Sequence, residues 1–245
     1  VRNFSGYGFS DISFDLYPGE ILGVAGVVGA GRTEMISTIF GRDKTLAGTV
    51  TLDGKDITGL STKKILQEGI NFVPEDRHYH GLFKIRSISS NTTSALLGSR
   101  EMGKVDMNRR HQREISQQYA DKFRTKIVSL DDLIGSLSGG NQQKVVIARV
   151  FSQSPEVVIC AQPTRGVDVS ASEYIHEVML AYRDQGKGIL LISADLDEVK
   201  KLSDTIAVIY QGCIVAVDRA EHFDDNRLGL LMTGGHTMVE KEVQA

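Results

Sequence analysis

A glycine-rich segment near the N-terminus has the residue types and spacing that bind phosphate. The apolar run Ile21 to Ala25 leads into Gly-Val-Val-Gly-Ala-Gly-Arg-Thr at positions 26–33. This fits the G-x-x-x-x-G-K-[ST] phosphate-loop pattern, with Arg32 where lysine is expected. Glycines let main-chain N–H groups curl around phosphate oxygens at a helix N-terminus, and the Thr33 hydroxyl would bind Mg²⁺. The expected nucleotide contacts are Gly26, Gly29, Ala30, Gly31, Arg32, Thr33 and Glu34.

The arginine at position 32 changes the chemistry expected of this loop. Its guanidinium keeps the positive charge, but it is longer and planar, so it does not supply the compact charge that lysine places between the β- and γ-phosphates. We therefore expect nucleotide binding to survive in weakened form. The alternative is a glycine-rich turn without a ligand, and the strand-loop-helix context argues against it.

A second candidate anion site lies at residues 137–145, which read Leu-Ser-Gly-Gly-Asn-Gln-Gln-Lys-Val. Ser138 is expected to cap a helix. Together with Gly139 and Gly140 it would form another helix start that attracts negative charge. Taken alone, the same residues also fit an ordinary capped helix, and this segment does not decide between the two.

Apolar segments elsewhere predict the α/β fold that must position these two motifs. Continuous Val, Ile and Leu runs with helical segments between them indicate a mainly parallel sheet covered by helices. The predicted strands are Ile21 to Ala25, Gly48 to Leu52, Ile70 to Val73, Val157 to Ala161, Ile189 to Ser193 and Ile206 to Tyr210. Alternating residues at Ile12 to Leu16 and Val50 to Leu52, each followed by a turn pair, predict an antiparallel patch near the N-terminus.

The strand pattern ends between about Lys84 and Ser152, where helices are predicted instead. These helices cover Ser89 to Leu97, Asn108 to Lys126 and Gly140 to Phe151. We therefore predict an α/β core at residues 1–83 and 153–233, a helical subdomain at 84–152 and a polar tail at 234–245. Because the chain starts at Val1, in what looks like a strand, we interpret it as part of a longer protein.

Composition excludes some classes of partner. The 28 Lys and Arg residues against 31 Asp and Glu residues give a net charge of −3, so no broad cationic field attracts nucleic acid. No run of eighteen apolar residues is present, and we expect neither a membrane span nor an export signal. Cys160 and Cys213 lie in apolar runs and are predicted to be buried free thiols, as in a reducing compartment.

Four segments together resemble the ATP-binding subunits of ABC transporters. They are residues 26–33, 72–77, 137–145 and 161–168, which follow the family's order and spacing, and Asn141-Gln142 gives the signature variant typical of sugar and nucleoside importers. The resemblance implies a P-loop NTPase (RecA-like) core that binds ATP and Mg²⁺.

The resemblance also implies a head-to-tail pair of domains, in which each signature closes over the partner's ATP. The residues facing the partner would be Ser138, Gly139, Gly140, Asn141, Gln142 and Asp168. For Asp168, a helix cap is the alternative, and both roles are compatible.

Four positions depart from the family pattern. Where the family has a metal-binding Asp followed by a catalytic Glu, this chain has Ala161 and Gln162; Ala194 replaces the switch histidine, and Glu75 replaces the loop glutamine. Loss of a general base typically lowers a rate 10²- to 10⁴-fold. We therefore predict a domain of the ATPase class that is hydrolysis-deficient alone, while its intact signature serves a partner. In an alternative, Glu75 takes over part of the lost metal or base role.

The resemblance further implies the setting of the domain. It implies a second ATP-binding domain in the same polypeptide, membrane-spanning permease subunits whose coupling helix docks on the helical subdomain, and a location on the cytoplasmic face of the membrane. Nucleosides are favoured over simple sugars as the solute. Phe4 and Tyr7 are the candidates for stacking on adenine. The alternatives are a non-transport ABC protein acting on ribosomes or DNA, and a regulatory module that binds no nucleotide.

Overall fold

The computed structural model describes residues 1–96 and 109–235, so the predicted tail from 236 onward and the predicted helix ends Leu97 and Asn108 lie outside the described residues. The chain divides into two units. The sheet unit contains Val1–Phe72, Glu156–Gln162 and the residues from Leu180 onward, and the helical unit contains Val73–Pro155 and Pro163–Met179. The helical unit is larger than the insertion predicted at 84–152.

Eleven strands are present in the described residues. In chain order they are β1 (Arg2–Gly6), β2 (Phe9–Ile12), β3 (Ile21–Ala25), β4 (Ala47–Thr49), β5 (Thr51–Leu52), β6 (Lys55–Asp56), β7 (Ile70–Val73), β8 (Val157–Ala161), β9 (Gly188–Ile192), β10 (Thr205–Tyr210) and β11 (Cys213–Arg219).

The described part of the chain also contains eight α-helices, and some single turns of other helix types. The α-helices are α1 (Arg32–Ile39), α2 (Thr62–Gln67), α3 (Ile88–Thr93), α4 (Arg109–Lys122), α5 (Gly139–Phe151), α6 (Val169–Arg183), α7 (Leu196–Leu202) and α8 (Asp225–Met232). No helix in these ranges is long and apolar enough to cross a membrane.

A six-stranded sheet, in the order β11-β10-β3-β9-β8-β7, carries the sheet unit. Strands β10, β3, β9 and β8 are parallel to one another, while β11 runs antiparallel to β10 with a register shift at Val208/Ile209. All five residues of β3 and of β9 are buried, as expected for strands covered on both faces. The predicted α/β class is confirmed.

The predicted antiparallel patch is confirmed, but one of its strands lies elsewhere. Strands β2, β1 and β4 form a three-stranded sheet, and β5 and β6 form a hairpin. The strand predicted at Ile12 to Leu16 is wrong, because β2 covers Phe9–Ile12 and the ladder does not continue past Ile12. Within β2, Asp11 has a φ of 51°, a left-handed conformation outside the regular strand region.

The core of the sheet unit is apolar and lies between β3, β9 and helix α1. Its completely buried members include Phe4, Ile12, Leu22 and Met35. Burial of each such side chain contributes about 1.5–3 kcal/mol relative to exposure. Cys160 in β8 is buried as predicted, whereas Cys213, the first residue of β11, is exposed; the prediction that both thiols are buried is wrong for Cys213.

The helical unit combines a small apolar core with buried polar contacts. Ile88, Leu130, Ile134 and Val145 form the apolar cluster. Helices α3 and α4 also share buried hydrogen bonds, including the 2.8 Å contact between the hydroxyls of Ser89 and Ser116. Helix α4 stops at Lys122, before its predicted end at Lys126, because Arg124 adopts a φ of 48° that no α-helix accommodates.

Candidate functional site

The glycine-rich loop joins β3 to α1 at the carboxyl end of the parallel sheet. Gly29 and Gly31 have φ values of 82° and 99°, which give the main chain the curl expected of a phosphate loop. A methyl group at Gly31 would lie 2.6 Å from the carbonyl oxygen of Gly8, so a side chain does not fit there. Thr33 and Glu34 are exposed in the first turn of α1. The loop can therefore present a helix N-terminus and a hydroxyl to a phosphate.

The Arg32 side chain points into the protein. Its Nη1 donates a 2.7 Å hydrogen bond to the carbonyl oxygen of Ser193, the residue after β9, and only 6% of Arg32 is exposed. The guanidinium is held by main chain at the end of the neighbouring strand. This contact fixes the direction of the longer side chain, which the sequence left open.

Two of the four altered positions are joined by a hydrogen bond. The Oε1 atom of Gln162, directly after β8, accepts a 3.0 Å hydrogen bond from the main-chain N–H of Ala194. The N–H of Gln162 donates to the carbonyl of Ile192 at 2.7 Å, and its φ is 50°. The structure therefore brings together the strand ends that carry Ala161, Gln162 and Ala194.

This arrangement fits a phosphate group better than a complete metal site. The curled loop and the exposed Thr33 hydroxyl fit a nucleotide phosphate and one Mg²⁺ ligand. Ala161 is 2% exposed and offers no oxygen, and Gln162 offers a neutral amide already bonded to main chain. Within the described ranges, no group of three or more His, Cys, Asp or Glu side chains could hold a metal ion.

In the helical unit, Ser138 caps helix α5 as predicted. Its Oγ accepts from the Asn141 N–H at 3.4 Å and from the Asn141 side-chain amide at 3.1 Å. The Asn141 Oδ1 in turn accepts from the Lys126 N–H at 3.0 Å, and Gln142 Nε2 donates to the Leu137 carbonyl at 2.9 Å. Because both bonds at Ser138 Oγ are accepted, its hydroxyl proton remains available to an outside acceptor.

Asp168 performs the capping role that the sequence allowed. Its Oδ1 accepts from the Ser170 hydroxyl at 2.7 Å and from the Ala171 N–H at 2.9 Å, at the start of α6. These two hydrogen bonds, the Ser170 bond first, hold the pKa of Asp168 below its ordinary value. A methyl group at Gly140 would lie 2.9 Å from Asp168 Oδ2, so the signature glycine packs directly against this carboxylate.

Glu75 belongs to the helical unit, where it pairs with Arg165 at 2.5 Å. Its neighbour Arg77 donates hydrogen bonds to the carbonyl oxygens of Arg165 and Gly166 at 2.7 and 3.0 Å. Sequence reasoning missed Arg77, because nothing in its local pattern distinguishes it from a solvent-exposed arginine. The alternative role of Glu75, as a metal ligand or a base, requires its carboxylate. In this structure that carboxylate is paired with Arg165.

Phe4 is not available to stack on a nucleotide. The residue is completely buried, and its ring packs on Phe9 with the centroids 5.4 Å apart. The prediction that Phe4 binds the adenine is therefore wrong, because neither ring face is open to a ligand. Tyr7, which is 68% exposed, remains the candidate.

A cavity of about 310 Å³ opens on the helical unit beside the turn Arg77–Gly81. Arg149 lies at its wall and donates to the Gly81 carbonyl at 2.6 Å and to the Ser94 hydroxyl at 3.2 Å. Two of the lining residues, Tyr79 and Phe83, have large exposed side chains, and so does Ile85, which follows Phe83 closely in the sequence. This groove, defined by Tyr79 to Phe83, Ser94, Ala95 and Arg149, is a candidate docking surface.

Comparison with known proteins identifies one family. Residues 9–165 match the ABC transporter family. The chain is 40% identical over 230 residues to the nucleoside import ATP-binding protein NupA of Lactococcus lactis subsp. cremoris (strain MG1363), covering 92% of this chain and 45% of that protein. It is 39% identical to the guanosine import ATP-binding protein NupO of Bacillus subtilis (strain 168), covering 91% and 44% respectively.

A sugar importer and two solved structures complete the comparison. The ribose import ATP-binding protein RbsA of Streptococcus agalactiae serotype III (strain NEM316) is 38% identical, with 96% of this chain and 48% of that protein covered. The chain thus spans about half the length of the curated relatives it matches. An ATP-binding subunit of an ABC transporter superposes with a TM-score of 0.77 at 21% identity, covering 95% of this chain and 98% of that one. The dimeric ATP-binding cassette MJ0796 bound to ADP and Pi gives 0.76 at 20% identity, covering 91% and 98%. These two likenesses show the fold.

Proposed function

This chain belongs to the ABC transporter family, and we propose that it is the degenerate ATP-binding domain of an importer for nucleosides or simple sugars. Relatives that are named for nucleoside, guanosine and ribose import support this solute range. Nucleosides are favoured on the resemblance of the motif at residues 161–166, since the nucleoside-import and sugar-import relatives match at similar identities, 40% and 39% against 41% and 38%. We also propose that its partner is a second ATP-binding domain in the same polypeptide; the chain spans about half the length of the curated relatives it matches.

The observation that carries the proposal is the hydrogen bond between Gln162 and Ala194. At the position where a general base would act, the side chain is a neutral amide that accepts from main chain and takes no proton. Arg32 is likewise bonded to Ser193. We infer that this domain holds ATP weakly or statically at its phosphate loop and contributes little hydrolysis of its own.

The bound Mg²⁺ of such a site would neutralise phosphate charge. In this proposal the exposed Thr33 hydroxyl would hold the ion, and the N-terminus of α1 would hold the phosphates. Ala161 supplies no oxygen for the ion, so the chain's own residues bind and orient the nucleotide without completing the machinery for its cleavage.

The signature turn is the part that we propose acts in catalysis, on the ATP of the partner domain. Ser138 is exposed, its hydroxyl proton is available, and it stands at the N-terminus of the 13-residue helix α5, where main-chain N–H groups favour negative charge. In a head-to-tail pair these groups would stabilise charge on the partner's γ-phosphate.

The groove on the helical unit is the surface that we propose receives the permease. Tyr79 and Phe83 offer apolar area at its rim, with 84% and 57% of each residue exposed. Contact with the permease there would place the domain at the cytoplasmic face of the membrane. The net charge of −3 gives the chain no broad attraction for nucleic acid.

The test uses the complete importer reconstituted in vesicles. Ser138→Ala should lower solute-stimulated ATP hydrolysis about 10²- to 10³-fold, because a hydrogen-bond donor to the transferring phosphate is lost. Ser136→Ala is the matched control, since Ser136 is an exposed serine whose hydroxyl bonds only locally, to the Leu133 carbonyl at 2.8 Å. Unchanged transport-coupled hydrolysis in Ser138→Ala would overturn the proposal.

Two measurements on the purified chain separate the alternatives. A nucleotide titration with and without Mg²⁺ should show ATP binding, whereas no binding under either condition would favour a regulatory module. Salt-dependent binding to RNA or DNA would favour the non-transport alternative.

A further inference from the structure

The guanidinium of Arg77 donates hydrogen bonds to two consecutive main-chain carbonyl groups in the helical unit. Nη1 donates to the carbonyl of Arg165 at 2.7 Å and Nη2 to that of Gly166 at 3.0 Å. The planar guanidinium donates from two separate nitrogens in a fixed geometry, whereas a lysine ammonium would have to reach both carbonyls from one nitrogen. The Nε atom of Arg77 is buried with no hydrogen-bond partner among the described residues, so the side chain is held at its fork.

The same fork lies against the signature. A methyl group added to Gly139 would be 2.9 Å from Arg77 Nη2 and 3.1 Å from the Gly166 carbonyl oxygen. Arg77 and Gly166 therefore pack on the signature glycine without space between them. Any shift of the fork moves the surface on which Gly139 rests.

Residues 163–168, here called the Asp168 turn, are also held by other side chains. Gln143 of α5, which is 2% exposed, donates to the Pro163 carbonyl at 2.8 Å, and Glu75 pairs with Arg165 at 2.5 Å. These contacts fix the turn as a whole. Arg77 in addition supplies the atom nearest to a methyl group added at Gly139.

We propose that Arg77 is a positioning residue for hydrolysis at the partner domain's ATP. It sets the placement of the signature glycine and the Asp168 turn relative to each other, and both would face the partner in the head-to-tail pair. This inference rests on the proposed function of the signature. A misplacement of about 1 Å at a reacting group lowers a rate by about 10²-fold, so the fork matters although it contacts no nucleotide.

Arg77 also begins the turn Arg77–Gly81, whose last residue lines the groove. Asp76 caps this turn, accepting from the N–H groups of His78 and Tyr79 at 2.8 and 3.0 Å. The residue that positions the signature is thus in the same short, capped segment as the proposed permease surface. Changes at Arg77 should therefore also alter the amount of solute moved per ATP.

The experiment measures ATP hydrolysis and transport by the complete importer in vesicles. Arg77→Met should lower kcat about 10- to 100-fold, with KM for ATP unchanged within about twofold because the partner's phosphate loop is untouched. Arg77→Lys retains charge and one donor site, and should lie between Arg77→Met and the unaltered protein. Arg110→Met is the control, because Arg110 has a 90% exposed side chain paired with Glu114 on the same helix and should keep the original kcat.

Two comparisons make the result decisive. Co-purification of the permease shows which variants assemble, and if Arg77→Met does not assemble, Arg77→Lys is the deciding variant. An unaltered kcat in the assembled Arg77 variant, together with a strongly reduced kcat in Ser138→Ala, overturns the role of Arg77 alone. An unaltered kcat in both overturns the proposed function as well.

Discussion

The side-chain oxygen of Gln162 accepts a 3.0 Å hydrogen bond from the main-chain nitrogen of Ala194, across the ends of neighbouring strands β8 and β9. Arg32 adds a 2.7 Å bond to the adjacent Ser193 carbonyl. Arg32, Gln162 and Ala194, which the motif pattern predicts to depart from the family's catalytic residues, thus meet at the carboxyl ends of the parallel strands. The side chains of Arg32 and Gln162 are both hydrogen-bonded to main chain at neighbouring strand ends, so a substitution of one leaves the contact of the other in place.

We predict that Gln162→Glu alone does not create an active ATPase. A carboxylate at 162 can still accept the Ala194 N–H, while Ala161 continues to offer no metal ligand. The purified chain should gain less than about 10-fold in phosphate release, against the 10²- to 10⁴-fold expected for a working general base. The triple variant with Ala161→Asp and Ala194→His is the comparison, and a full gain from the single change would contradict the prediction.

Arg32→Met should destabilise the chain and weaken ATP binding. The charge-assisted bond to Ser193 is lost, which lowers the free energy of unfolding by about 1.5–3 kcal/mol. Urea unfolding measures this change, with Arg219→Met as control because Arg219 is 72% exposed and its ion pair with Glu221 contributes little. Equal stability of the two variants would show that the buried contact is unimportant.

Gly31→Ala should be among the most damaging small substitutions in the phosphate loop. The residue has a φ of 99°, and the added methyl group would lie 2.6 Å from the Gly8 carbonyl oxygen. We expect a loss of about 3 kcal/mol in unfolding free energy and no ATP binding. Gly229→Ala in helix α8 is the matched control, because nothing lies within 4 Å of its added methyl group, and it should gain about 0.5–1 kcal/mol.

The buried Cys160 thiol makes stability depend on alkaline pH. Burial, followed by the charge of Glu198, raises the pKa of Cys160 above the ordinary thiol value of 9.0, so the native state keeps its proton where the unfolded state releases it. Stability is therefore full below pH 9.0 and falls as pH rises beyond it, with a slope approaching about 1.4 kcal/mol per pH unit. Urea unfolding between pH 8 and 10 checks this slope.

The two cysteines provide the control for that measurement. Cys160→Ala should reduce the alkaline slope to the part that buried tyrosines contribute, above all Tyr182, whose pKa burial also raises. Cys213→Ala should keep the full slope, because Cys213 is exposed in the native chain. A thiol reagent should correspondingly modify one cysteine in the native chain and two in urea. Rapid modification of both native thiols would show that β8 is not closed around Cys160.

The sequence predicted the strands of the sheet more accurately than the side-chain contacts at their carboxyl ends. Strand β8 has its predicted bounds, Val157–Ala161, because a continuous apolar run of five residues rich in Val and Ile favours a strand buried on both faces. The orientation of Arg32 and the bond from Gln162 to Ala194 depend on which strands become neighbours, and local patterns carry no information on that pairing. Phe4 was misassigned for a similar reason, since its partner Phe9 belongs to another strand.

Strand β11 forms one border of the six-stranded sheet and pairs with β10 through a register shift. Near its end, Asp218 is bonded to His222 and Arg227. An irregular border with charges held at its end is a poor template for a strand from another molecule. This border of the sheet should therefore resist pairing with a strand of a second molecule.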